Sequence, residues 1–544
     1  MRRRHNRPAM PRRPVLPRLS PADTSRRATL RQLSLGAAAW ALQSLFAAPA
    51  NADTPLAGWP GGAYPFTLGV ASGQPRPDSV VLWTRLAPRP REARGGLPQR
   101  PIAVRWELAA DPLFTRVVRE GLSVAQPEHA HSVHIEPTGL PSGSEFYYRF
   151  VAGGHASPVG RTRTAPAPDA DVPRLRFALA SCQHYEQGRY TLHREIAQRN
   201  LDFVLFVGDY IYETSKPRYQ LRAHWLDVPW TLDEYRVHHA QYKTDADLRA
   251  MHAAHPWIVT LDDHDVENDY AGNHSGFEQP EHLFLQRRAN AFKAYFEHLP
   301  VSPSQAPQGP SMRIHDRFSW GRLADIWVLD TRQHRDWQAC ADVEGPGARP
   351  LLHCNELGDP QRTMLGTEQE HWLADGLARS PRTWKFIAQT TQISPCGPDT
   401  PFGRVIYTDS WDGYPAARQR LLQAIAEPRV SNVVCLGGDV HRHVAAPLRL
   451  VAEDRGSPVI ASEIVCSSLT SRGLSELQSA WIRRSNPDLL HARGDERGYV
   501  LFDVTPQQTE CEFRATATPV AANARIHTQA RFAIEAGRPG PQRS

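Results

Sequence analysis

The 544-residue chain contains no run of the roughly 18–20 uninterrupted apolar residues that a bilayer-spanning helix needs, which excludes an integral membrane protein. It also lacks the bias of a disordered chain: hydrophobic residues are 41% and charged residues 22%, ordinary for a globular protein. There are no internal repeats, and the length suggests about two to four domains. A general basic excess is missing too, despite a formal charge of +6. Residues 1–52 carry ten Arg, no Lys and one acid, Asp23, whereas beyond them 53 basic side chains face 56 acidic ones. The basic character belongs to the leader, so a nucleic-acid partner loses its compositional support. Cysteine is scarce: Cys182, Cys340, Cys354, Cys396, Cys435, Cys466 and Cys511. An odd count leaves at least one thiol unpaired. Cys340 and Cys354 flank the loop EGPGARP and are the disulfide candidates. Cys435, inside VVCLGG, reads as a small core residue.

Ser25-Arg26-Arg27-Ala28-Thr29-Leu30 precedes a moderately apolar run from Leu33 to Phe46, and Ala50-Asn51-Ala52 supplies an A-x-A cleavage signal. Charge, apolar run and cleavage site in that order form a signal peptide, and the paired Arg resembles a twin-arginine export signal. The expected mature chain starts at Asp53, after cleavage behind Ala52. It is exported by the twin-arginine machinery already folded, into an oxidising periplasmic or extracellular space. The bland alternative is a short amphipathic surface helix.

Residues 59–163 read as short strands: YPFTLGVASG, SVVLWTRL, IAVRWELA and EFYYRFVAG are rich in Val, Phe, Tyr and Thr and are separated by Gly/Pro turns. This predicts an N-terminal all-β sandwich, fibronectin- or immunoglobulin-like. Residues 164–174, beginning TAPAPDAD, read as a linker. From 175 to 536 the pattern changes. LRFALASC, LDFVLFVGDY, WIVTLDDHD, RLADIWVLDTR, WKFIAQTTQ and VVCLGGDVH are buried apolar strands that each end in polar side chains, with helical spacing between the first two. Open α/β sheets place their chemistry beyond the carboxyl ends of the strands. That rule selects Cys182, Asp209, Asp263, Arg332, Gln392, Asp439 and His441. Residues 497–516 are expected to complete the sheet, and 537–544 to form a frayed tail.

The local spacings point to metal chemistry. In Gly208-Asp209-Tyr210-Ile211-Tyr212 the glycine permits a tight turn, Asp209 can offer one oxygen to each of two cations, and Tyr212 can return to the same site. A phenolate is a good ligand for ferric ion. In Gly438-Asp439-Val440-His441 alternate residues of an extended segment can face one site.

These residues resemble the metallophosphoesterases, and more closely the PhoD-type alkaline phosphatase/phosphodiesterases. YPFTLGVASGQPRPDSVVLWTRL is similar to that family's N-terminal module. ASCQ, FVGDYIYE, LDDHDVEND, LDTRQHR and GGDVH are similar to its catalytic blocks, in the family's order. The resemblance implies an α/β metallophosphoesterase domain with a central β-sandwich flanked by helices. It implies an iron (Fe3+) site of Cys182, Asp209, Tyr212 and His441, with Asp209 bridging to a calcium (Ca2+) site that also uses Asp263 and Asp439. One or two calcium ions fit hard oxygen ligands. Gln392 is expected near the second site, and Asn268 and Asp269 are candidates for a further calcium. The fourth residue of DDHD is Asp265 where relatives commonly have Glu, which alters contacts behind the ligands. The implied reaction is phosphate-ester hydrolysis: paired cations about 3.5–4 Å apart acidify a bridging water and hold hydroxide in line with phosphorus. His264 is the implied donor to the leaving oxygen, a role worth roughly 10²–10⁴ in rate. Arg332 either contacts the phosphate or pairs with an internal Asp.

Taken singly, each residue has a plainer reading. Cys182 alone is more often an inert core thiol, Tyr212 a bonded core aromatic, and His264 one of 24 histidines. Trp225, Trp230, Tyr235 and Tyr242 read as packing, and His238-His239 as a solvated helix face. Their company reverses the first three. Two other functions compete with the phosphoesterase: a phospholipase D-like phosphodiesterase acting on phospholipid headgroups, and a non-catalytic surface-binding protein. The latter predicts degraded ligands, and none of the principal ones is missing.

Overall fold

The computed structural model describes residues 62–216, 218, 220–341, 347–517 and 521–544. The twin-arginine segment and its cleavage site lie outside the described residues. The chain is rich in sheet, with an N-terminal β region. FVLFV at Phe203–Val207 is apolar at every position and buried at every position, as a strand covered on both faces must be. It lies between Leu175–Ala180 and Pro256–Thr260, parallel to both. These three form the middle of a ten-stranded sheet. Arg497–Val504 continues it on one side, antiparallel to Leu175–Ala180, followed by Gln508–Thr516, His527–Glu535 and Arg538–Arg543. A second, seven-stranded sheet has Ala324–Val328, Trp384–Ala388, Val433–Gly437 and Val459–Val465 as its parallel centre.

The two sheets share one buried core. Phe177, Phe203, Leu205 and Phe502 of the first meet Ile326, Phe386 and Leu436 of the second. Phe177 stacks between Phe203 and Phe502, with ring centres 5.1 and 4.5 Å away. Helices cover the outer faces. Leu232–Lys243 starts at a capping box, Thr231 accepting from the Glu234 amide while Glu234 reaches back to the Thr231 amide. Together with Glu281–His298 it packs over Phe206, Trp257 and Val259 of the ten-stranded sheet. Thr367–Arg379 and Pro415–Ile425 cover Trp327, Ile387 and Val433 of the other. No helix among the described residues is long and apolar enough to cross a membrane.

Two expectations need correction. The N-terminal strands do not close a sandwich of their own. One sheet of that region is local, built from Ile102–Ala109, Val117–Ala125 and Glu145–Ala152. Its opposing strands, Val70–Gly73, Val81–Arg85 and Ser132–Ile135, are the end of the ten-stranded sheet, because Val70–Gly73 pairs in parallel with Pro256–Thr260. Val70–Gly73 and Val81–Arg85 are buried throughout. Val70 and Leu82 join the N-terminal core while Ala71 and Trp83 face Ala240, so each strand has a hydrophobic partner on both faces. The second correction concerns 537–544: Arg538–Arg543 is an edge strand on His527–Glu535, and the Gly540 amide donates to Ser462 Oγ of the other sheet at 2.9 Å.

Cys340 and Cys354 form the disulfide, with Cα atoms 6.2 Å apart. Cys182, Cys396, Cys435, Cys466 and Cys511 are free and buried.

Candidate metal centre

The polar residues that follow the strands of both sheets meet at one end of the core. Cys182, Asp209, Asp269, Asp439 and His441 all have left-handed backbones, with φ of 58°, 58°, 59°, 59° and 48°. Such conformations cost non-glycine residues on the order of 1 kcal/mol or more each, and they collect where a site dictates the backbone. Gly208, at φ 92°, makes the turn into Asp209. A side chain there would put its Cβ 2.4 Å from the Asp262 Cβ. Asp439 and His441 therefore stand in a turn beyond Val433–Gly437, not on an extended segment, and the turn aims them at different neighbours.

Sulfur of Cys182, a carboxylate oxygen of Asp209 and a ring nitrogen of His441 lie within 4.8 Å of one another. The Tyr212 hydroxyl is 2.7 Å from Asp209 Oδ2 and 2.9 Å from His441 Nε2. His441 Nδ1 sits 2.8 Å from the Arg472 carbonyl and so carries the ring proton, which leaves Nε2 with its lone pair toward the cluster. The Tyr212 oxygen then faces two acceptors with a single proton. Burial pushes the Tyr212 hydroxyl and the Cys182 thiol well above their usual ranges, and the Asp209 charge adds to both. Asp209 Oδ1 is buried with no hydrogen-bond partner. Thiol, phenol, carboxylate and imidazole, gathered together and shut off from water, fit one strongly charged cation. The Tyr212 ring is held between His184 and His264, with centres 4.5 and 4.1 Å away.

Carboxylates continue the site. Oxygens of Asp209, Asp262 and Asp263 form a second group within 4.8 Å, and those of Asp263, Asp269 and Asp409 a third. Asp263 Oδ1 and Asp262 Oδ2 lack hydrogen-bond partners. The Asp439 charge is felt by Cys182, Asp262 and Asp269, and its own carboxyl is pushed up to about 6 by burial and then by Asp263. Burial, followed by Asp409 and Asp263, holds Asp269 well above the carboxylate range. An all-oxygen set of this density suits hard divalent cations.

Arg332 does not face solvent. It is fully buried; Nε donates to Asp262, Nη1 lies 2.8 Å from Asp409 Oδ2, and Nη2 lies 3.3 Å from Asp263 Oδ1. Of its two expected roles the structure selects the internal pairing, and the phosphate-contact role is withdrawn. Arg335 adds a second guanidinium at Asp409 Oδ1, 2.8 Å away. Asp263, buried among these charges, is nevertheless held down to about 2 because Arg332 and His264 outweigh burial.

His264 Nδ1 lies 2.7 Å from Glu213 Oε2, and the other Glu213 oxygen accepts from the Asn268 amide at 2.8 Å. Burial opposes a charge on this ring, yet Glu213, Asp209 and Asp263 push its pKa up to about 10. Asp265 is no ligand. Its two oxygens accept from the amides of Asp209, Tyr210, Ile211 and Asp262, at 3.1, 2.9, 3.2 and 3.0 Å, and so fix the turn that carries Asp209. Gln392 spends its side-chain amide on other partners: its Oε1 accepts from Arg442 Nη2 at 2.9 Å and its Nε2 donates to Ser394 Oγ at 2.9 Å. The backbone amide of Asn268 is the one that donates to Glu213.

Three residues escaped the sequence reading. Glu213 and Asp262 lie inside quoted blocks, four residues after Asp209 and one before Asp263, and their spacing was available. Asp409 sits in TDSWDG, behind only the two-residue strand Ile406–Tyr407, which is too short to announce it. His238 and His239 are buried, not solvated; His238 Nε2 donates to the Tyr212 carbonyl at 2.7 Å. Tyr235 and Tyr242 are core residues, whereas Trp230 is 44% exposed.

Residues 177–513 match the family model described as PhoD-like phosphatase, and residues 52–166 that of the PhoD-like phosphatase N-terminal domain. Alkaline phosphatase D of Bacillus subtilis (strain 168) is 43% identical over 486 residues, covering 88% of this chain and 82% of the relative. A solved structure of PhoD superposes with a TM-score of 0.85 at 42% identity, over 89% of this chain and 92% of that one.

The Arg332 geometry makes a prediction. Arg332→Met strands three carboxylates, so it should destabilise the metal-free protein by about 3–5 kcal/mol in urea unfolding. Unchanged stability with only a raised KM would restore the phosphate-contact role.

Proposed function

The chain belongs to the PhoD-like phosphatase family, and from that premise we propose an exported, iron- and calcium-dependent phosphoesterase that hydrolyses phosphate monoesters, diesters or both by in-line displacement at phosphorus. Phosphoric ester hydrolysis comes with the family and with the 43% identity to alkaline phosphatase D. The observation that carries the metal reading is the meeting of Cys182, Asp209 and His441 within 4.8 Å, with the Tyr212 hydroxyl bridging two of them.

Cys182, Asp209, Tyr212 and His441 would hold the iron. Asp209, Asp263, Asp269, Asp409 and Asp439 would hold one or two calcium ions. When bound, the cations supply Lewis acidity toward the phosphoryl oxygens and acidify water. The rest belongs to the chain. Asp265 fixes the Asp209 turn, Arg332 pairs with Asp262, Asp263 and Asp409, and Arg332 with His264 keeps Asp263 ionised. His264, oriented through Nδ1 by Glu213, serves as the proton donor to the leaving oxygen. Gln392 acts at one remove, through Arg442. We assign residues 1–52 to a twin-arginine signal cleaved after Ala52, 59–163 to the N-terminal region, 164–174 to the connection and 175–536 to the catalytic region.

Metal analysis of the exported protein should find iron and calcium, with a visible charge-transfer band. Cys182→Ser should lose the band and the iron. An iron-free, colourless protein of full activity would sink the Cys182/Tyr212 assignment.

The His264 pKa lies above its ordinary 6.5, so the protonated donor persists through neutral pH and its loss forms the alkaline limb as pH rises through about 10. Its contribution to stability has the same sign, complete below about 6.5 and lost through about 10. Glu213→Gln removes the largest raising charge and should move the alkaline limb of kcat to lower pH. His264→Ala should cost about 10²–10⁴ on alkyl esters and less on p-nitrophenyl esters, whose leaving group needs no proton. A limb unmoved in Glu213→Gln excludes the pair as the donor.

Replacing Arg26 and Arg27 by Lys should hold the protein in the cytoplasm, as fractionation would show; continued export overturns the twin-arginine route.

A further inference from the structure

Beside the thiol–imidazole end of the site lies a cationic corner that the reaction does not use. The backbone around His441 is in close contact with two later segments: a Cβ on Gly473 would fall 2.2 Å from the His441 carbonyl and 2.6 Å from that of Gly494. Arg497, at the start of Arg497–Val504, donates through Nη1 to this Gly494 carbonyl at 2.9 Å. That is its one hydrogen bond among the described residues. It is 8% exposed, its Nε is buried without a partner, and no carboxylate lies within ion-pair distance. Its acidic neighbours are engaged elsewhere: Asp495 with Arg493, and Glu496 with Arg493, His527 and Gln529.

A second cation stands on the same rim. Lys216 is exposed, its amide is tied to Glu186 at 3.1 Å, and its ammonium has no ion pair among the described residues. Glu186, which holds the Lys216 amide, donates its own amide to His184 Nδ1, and the His184 ring stacks on Tyr212 with centres 4.5 Å apart, so Lys216 starts from the same end of the site. A buried guanidinium normally has a carboxylate beside it, since an unpaired one is costly. Here the nearest acid, Asp495, already pairs with Arg493, and the guanidinium has no carboxylate at ion-pair distance. The opposite end of the site is lined by Asp263, Asp269 and Asp409, which would repel an anion. The asymmetry gives a substrate a direction.

We propose that Arg497 and Lys216 form a subsite for a second anionic group of the substrate, so that the preferred substrate class is a phosphate ester bearing another phosphate next to the one hydrolysed. The proposal rests on the phosphoesterase reading. A guanidinium fork suits a phosphate, and the rim ammonium adds a point charge.

The test compares two p-nitrophenyl phosphodiesters of thymidine, one with and one without a second phosphate on the other sugar hydroxyl, using the metal-loaded full chain. Reacting phosphorus and leaving group are the same in both. The wild type should favour the doubly phosphorylated ester by about ten-fold in kcat/KM, the size of one charge-assisted contact. Arg497→Gln should bring that ratio toward one, and Lys216→Gln, an exposed change that serves if Arg497→Gln does not fold, should lower it in part. Hydrolysis of both esters at a ratio near one overturns the subsite alone. An equal loss on both esters in Arg497→Gln also overturns it, because the guanidinium then acts on the reacting phosphate. Hydrolysis of neither ester by the wild type overturns the phosphoesterase reading and the subsite together.

Discussion

The site is built around negative charge gathered where water does not reach. Asp209, Asp262, Asp263 and Asp409 are all nearly inaccessible, and Arg332 touches three of them. At short range and low dielectric, like charges repel by several kcal/mol. Arg332 and Arg335 offset part of this. The remainder, with the unpartnered oxygens of Asp209, Asp262 and Asp263, is a binding energy held in reserve for cations. Metal loading and stability are therefore two aspects of one equilibrium.

Such a charge cluster needs a stiff support. The parallel strands supply it from below, and what lies beyond their ends is a set of backbone conformations that no strand or helix would choose. Asp265 shows how the support works: four amides converge on its two oxygens, tying the turn after Phe203–Val207 to the turn after Pro256–Thr260. The short Asp265 side chain is long enough for this task because Gly208 lets the two turns come close.

How far this was legible in the sequence depended on range. The apolar strands and their polar ends could be read directly, because burial on both faces writes itself as a continuous run. Cys182, Asp209, Tyr212 and His441 could be read through the blocks that contain them. Partnerships across long separations could not. Val70–Gly73 looks like any short strand, and its pairing with Pro256–Thr260 depends on which edge the folded sheet leaves free. Arg332 announced a charge but not its company, and Asp409 arrives from a loop without periodicity. Gln392 had the right position at a strand end, but the nearer donor Arg442 engages its oxygen.

The order of strands in the large sheet has one more consequence. Leu175–Ala180 carries Cys182 at its end and is flanked on its open side by Arg497–Val504, synthesised more than 300 residues later. A nascent chain on the ribosome therefore holds the thiol and the Asp209 turn on a half-built sheet, and the imidazole at 441 arrives late. The cradle can close only once His441 and the strand Arg497–Val504 have been made, so the first half of the chain cannot complete it alone. Assembly becomes a single, late, whole-molecule event, and a chain truncated near its end would lose the metal pocket although every ligand had been made.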